Sequence, residues 1–126
     1  MKSLILAAIL SAGILAPQAN LTGAWAITGD VQGYPIQEAC ALVHTDATLS
    51  GSCATQGKKY DTTGTVDGTK VIFKHGGEYQ GDPLTLTYTG VLADDGTFSG
   101  SIYVDPMAVD GTFAAKKAVA TPVSGL

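Results

Sequence analysis

From residue 20 onward, apolar and polar residues alternate in short runs separated by turn-forming pairs such as Asp67-Gly68. A period of two over stretches of this length predicts half-buried β-strands. The turn signals divide the chain into eight strands: Leu21–Thr28, Tyr34–His44, Leu49–Gln56, Tyr60–Val66, Lys70–His75, Leu84–Val91, Thr97–Val104 and Gly111–Val119. No segment carries a convincing helical period, so there is no candidate crossover helix, and sequential strands joined by short turns are antiparallel. An all-β, eight-stranded up-and-down barrel follows, because closure leaves no strand edge exposed.

Glycine placement supports closure. Gly23, Gly51, Gly64, Gly90, Gly100 and Gly111 each lie two positions from Trp25, Cys53, Val66, Tyr88, Ile102 or Phe113. Residues two apart on a strand share a face, so these glycines point inward with the core. Inward glycine is what a small, strongly coiled barrel uses to bend its wall. The same phase places Leu21, Ile27, Ile36, Cys40, Leu42, Leu49, Val71, Phe73, Leu84, Leu86, Phe98, Val104 and Ala115 inside. The outward positions are rich in Thr, Ser and Lys, which is incompatible with the apolar girdle of an outer-membrane barrel.

The connections fall into two groups. Short links at His44–Leu49, Val66–Lys70 and Val91–Thr97 gather at one end, the floor. Gly29–Gly33, Gly57–Lys59, Gly76–Pro83 and Asp105–Asp110 gather at the other and are mostly longer, which predicts an open mouth there.

Residues 1–19 stand apart from this pattern. Lys2 precedes an uncharged apolar stretch from Leu4 to Ala16, too short to span a bilayer and suited to a signal peptide cleaved after Ala19. The barrel domain is then 20–119, and 120–126, without turn or partner signal, reads as a disordered tail. Such a chain is exported, to the periplasm or the extracellular medium, and its mature part does not insert into membranes. The formal net charge is −4, with no Arg in the chain. That acidity argues against nucleic acid and anionic surfaces as partners.

Cys40 and Cys53 are the two cysteines. A two-residue turn at Asp46-Ala47 sets His44 opposite Leu49, Leu42 opposite Gly51 and Cys40 opposite Cys53, predicting a cross-strand disulfide in an oxidising compartment. Their spacing matches neither a redox Cys-x-x-Cys nor a zinc pattern, and no metal or cofactor is expected.

Leu21-Thr22-Gly23-Ala24-Trp25 resembles the opening strand of avidins, and Gly23-Ala24-Trp25 fits the G-x-W of lipocalins. The chain is also similar to small exported bacterial barrel proteins, including the paired cysteines and the closing Gly111-Thr112-Phe113-Ala114-Ala115-Lys116. The resemblance implies a calycin-like barrel with Trp25 at the floor beneath a basic residue of a late strand, here Lys117. Avidins line their pocket with several tryptophans, whereas this chain has one, so biotin binding is not implied.

Chemistry-bearing residues concentrate at the mouth. Tyr34 and Tyr60 begin strands there in the inward phase, Tyr79 lies in the longest loop, and Tyr88 points inward. Tyrosine suits a partly wet apolar pocket, although it also simply favours strands. An uninterrupted strand aims Glu38 into the barrel, whereas a bulge near Pro35, the commoner outcome at a barrel rim, turns it to solvent. His75 sits at the mouth and His44 at the floor, so they cannot share a metal. The leading expectation is a binder of a small apolar or aromatic molecule at the open end, using Tyr34, Glu38, Tyr60, His75, Tyr79 and Tyr88. The alternatives are a filled structural or interaction module of the cell envelope and a cofactor-free isomerase or lyase. No nucleophile, metal or cofactor motif accompanies the last, so an enzyme is not favoured.

Overall fold

All eight strands form, and most run further than alternation alone suggests. The computed structural model describes residues 20–118; the expected signal peptide, the end of the last strand at Val119 and the C-terminal tail lie outside them. The strands are β1 (Gly23–Val31), β2 (Tyr34–Thr45), β3 (Thr48–Thr55), β4 (Lys58–Asp67), β5 (Lys70–Tyr79), β6 (Asp82–Leu92), β7 (Phe98–Asp105) and β8 (Val109–Lys117). Each pairs antiparallel with its neighbour in sequence, and β8 returns to pair with β1, closing the barrel.

The mouth differs from expectation. Its connections are tight: β1–β2, β3–β4 and β5–β6 turn through Gln32-Gly33, Gln56-Gly57 and Gln80-Gly81, with positive φ at both residues of each pair. Two positive φ values make a type I′ turn, whose twist matches that of the flanking strands. Glutamine is not a usual first residue of such turns, and the strands run on through Gly29–Val31, Lys58–Lys59, Gly76–Tyr79 and Asp82–Pro83, which the sequence pattern gives to loops. Only β7–β8, through Pro106, Met107 and Ala108, keeps a longer connection among the four.

Large aromatic side chains pack together in the lower half of the barrel. Phe73 stacks on Tyr88 with ring centroids 4.5 Å apart, and Phe98 and Phe113 meet Phe73 edge-on. Trp25 packs 5.0 Å from Phe98 and donates its indole N–H to the Leu21 carbonyl at 2.8 Å. Lys117 reaches across the barrel end, its ammonium 5.6 Å from the Trp25 ring centroid and hydrogen-bonded to the Thr22 carbonyl. Burying the indole contributes up to about 3 kcal/mol, whereas an exposed cation over a ring contributes roughly 0.5–1 kcal/mol, so the ring and not the cation holds the floor. His44 Nδ1 accepts the Leu21 amide and its Nε2–H donates to the Asp46 carbonyl, which clamps the chain entering β1 to the β2–β3 turn.

Cys40 faces Cys53 in the β2–β3 register and the two are joined as a disulfide with an S–S distance of 2.07 Å. The sulfurs lie inside the barrel wall, with Cys53 inaccessible to solvent. Replacing both by Ala is expected to lower unfolding free energy by about 3 kcal/mol, the chain-entropy value for a loop of roughly 14 residues. Urea denaturation checks this; an unchanged midpoint would show the bond to be dispensable.

Candidate functional site

Above the aromatic layer the barrel is not filled. A cavity of about 280 Å³ opens at the end formed by the Gln-Gly turns. Its walls are aliphatic: Val31, Ile36, Leu84, Leu86, Val104 and Val109. These residues alternate inward on β1, β2, β6, β7 and β8. The rim is polar, with Gln32, Thr55, Gln56 and Glu78 beside Tyr34, Tyr79 and Met107.

Glu38 lies deep in this cavity. The expected bulge at Pro35 does not occur, because β1 and β2 pair residue by residue from Gly23↔Leu42 to Val31↔Tyr34. The unbroken alternation therefore turns Glu38 inward, where it is 7% exposed. A buried carboxylate is tolerable only with partners, and it has two. Its Oε1 is 3.0 Å from His75 Nε2, and its Oε2 accepts the Tyr88 hydroxyl at 2.7 Å. His75 Nε2 is also 3.1 Å from the Tyr88 oxygen, closing a three-membered ring of contacts.

The protons follow from the acceptors. The Gly76 carbonyl can only accept, so His75 Nδ1, 2.6 Å away, carries a hydrogen and donates it. The Tyr88 proton goes to Glu38, leaving one proton between Nε2 and Oε1 to complete the network. Burial pushes the Tyr88 phenol far above its ordinary range, and the adjacent Glu38 charge and hydrogen bond add to the shift. Tyr88 is thus a fixed donor.

The sequence-predicted residues separate into three groups. Glu38, Tyr34 and Tyr79 line the cavity. His75 and Tyr88 lie beneath Glu38 as its partners, and Tyr60 stacks against the His75 ring at 6.1 Å. Tyr34 and Tyr79 meet edge to face at 5.8 Å on the rim, and Gln56 donates to the Tyr34 hydroxyl. Beside them Lys58 pairs with Glu78 at 2.7 Å, a contact that raises the ammonium pKa. Val31, Gln32, Thr55, Gln56, Met107 and Val109 were missed as lining residues. The repeated Gln-Gly at 32, 56 and 80 was the available signal, since a common turn at a fixed spacing marks one end of the barrel.

One cluster has the composition of a metal site. Atoms of Glu38, Cys40 and Cys53 lie within 4.8 Å of one another. The two sulfurs are bonded to each other, so neither is the thiolate a metal would require. No protein-family model matches the chain, and no curated protein matches it.

Proposed function

We propose that this protein is an exported, calycin-type barrel that binds a small apolar or aromatic molecule in the upper half of its interior. The observation that carries this reading is the half-filled core. Aromatic side chains pack against one another at the floor, while about 280 Å³ above them is left open and walled by aliphatic groups. Side chains filling that space would bury further apolar surface, so leaving it open forgoes stability. A barrel serving only as a structural module of the envelope gains nothing from that loss. At interior packing density the cavity holds roughly a dozen non-hydrogen atoms, the size of one or two rings. The buried disulfide suits an oxidising compartment such as the periplasm or the extracellular medium.

A naphthalene fluorophore such as 2-naphthol tests this. It should bind one to one with a dissociation constant of roughly 1–100 μM, as ligand efficiencies for so few atoms imply. Leu84→Trp places an indole in the cavity and should weaken uptake at least about tenfold while leaving stability equal or higher. If the probe is not taken up, or Leu84→Trp binds it as the parent does, the cavity is not a ligand site. The Glu38–His75 contact at 3.0 Å favours one second reading, acid–base turnover of the bound molecule. That reading requires the wild type to convert a ligand that Glu38→Gln binds and leaves unchanged.

A further inference from the structure

We propose that the molecule held in this cavity is a protonated amine on a small apolar or aromatic body, bound with its ammonium group toward Glu38. The inference rests on the cavity being a ligand site and adds the charge and orientation of what occupies it. Among the described residues the lining includes two carboxylates, Glu38 and Glu78, and no Lys, Arg or His. Glu78 is paired with Lys58 at the rim, and Glu38, which shares one proton with His75, is the carboxylate at the base of the cavity.

The orientation of the buried network decides the sign. Glu38 faces the cavity, whereas His75, its hydrogen-bonded partner, does not line it. The pair therefore presents its negative end to the ligand and holds its imidazole behind. A carboxylate offers about four lone-pair positions, of which His75 and Tyr88 occupy one on each oxygen. The remaining two can accept from a ligand donor. An ammonium fills such acceptors with charge-assisted hydrogen bonds, while a carboxylate or phosphate ligand meets like charge in a low-dielectric site.

The rest of the site fits the other end of the same molecule. Around Glu38 the walls offer aliphatic contacts from residues such as Ile36, Leu86 and Val104. At the rim, the Tyr34–Tyr79 pair presents flat aromatic surface to the outer end of the body. One polar anchor at the base of an apolar shaft is the recognition pattern for a compact amphipathic molecule.

Three ligands with nearly the same body isolate the charge: 2-phenylethylamine, 2-phenylethanol and phenylacetate, titrated into the purified protein by calorimetry or NMR at neutral pH. The amine should bind at least about tenfold tighter than the alcohol, the margin a charge-assisted hydrogen bond gives, and the acid should show no uptake. Glu38→Gln should abolish the preference for the amine and retain the alcohol. If the alcohol or the acid binds as well as the amine, the amine assignment is wrong while the ligand cavity stands. If none of the three binds and 2-naphthol is also refused, both readings fail together. The wild-type series decides the matter even if Glu38→Gln does not fold, and a Glu38→Gln protein that keeps the full amine preference would overturn the proposal.

Discussion

Replacing His75 alone by Phe is expected to lower the unfolding free energy by about 3–5 kcal/mol, because it leaves the Glu38 carboxylate buried without one of its partners. Glu38→Leu alone should cost a similar amount, since His75 and Tyr88 would then turn buried donors toward an apolar wall. The triple replacement Glu38→Leu, His75→Phe, Tyr88→Phe removes all the polar groups of the ring at nearly constant shape. It should be close to the wild type or more stable than it, as buried ionic clusters replaced by packed apolar residues often are. The contrast between singles and triple is the test, read as denaturant midpoints. If the single losses simply add to give the triple, the three residues do not act as one network. A stable triple that no longer distinguishes an amine from an alcohol would show that the network is kept for recognition and not for stability.

The second large effect concerns the wall. Gly100→Ala is expected to cost more than about 3 kcal/mol, combining overpacking with the displacement of a paired strand. In the β6–β7 register Gly100 lies opposite Gly90, and a methyl at position 100 would be driven into the Thr89 carbonyl oxygen. Neither strand can retreat, because the Phe98 and Phe113 rings lie over Gly90, within 3.0–3.3 Å of where its Cβ would stand. Gly57→Ala is the control. It sits in a type I′ turn with φ of +79° and open space around it, so it should lose only about 1–2 kcal/mol from backbone strain. Circular dichroism melts of the two variants compare these directly; equal losses would mean that closure does not depend on glycine in the wall.

The relation between sequence and structure differs from feature to feature. Alternation with inward glycine was enough for eight antiparallel strands, the interior set and the floor, because a strand's face is a local property with a period of two. The Cys40–Cys53 pairing was legible for the same reason, as a two-residue turn fixes the whole hairpin register. The mouth is not legible in this way, because glutamine takes a turn position that Asn, Asp or Gly usually holds. The strands there run on, and the opening comes from missing side-chain volume and not from long loops.

What the chain determined by itself is therefore the barrel: its strand phase, its floor around Trp25, and the disulfide that ties β2 to β3. What only the tertiary structure decided is the site. Glu38, His75 and Tyr88 lie on β2, β5 and β6, separated by 37 and 13 residues along the chain. The β5–β6 register sets His75 diagonally beside Tyr88, but no local pattern relates either of them to Glu38, whose strand is not a neighbour of theirs. Their meeting depends on the curvature of the closed wall, which brings β2 opposite β5 and β6 across the interior. Closure also sets how much of that interior the aromatic side chains can reach, and so leaves the upper half open above Glu38.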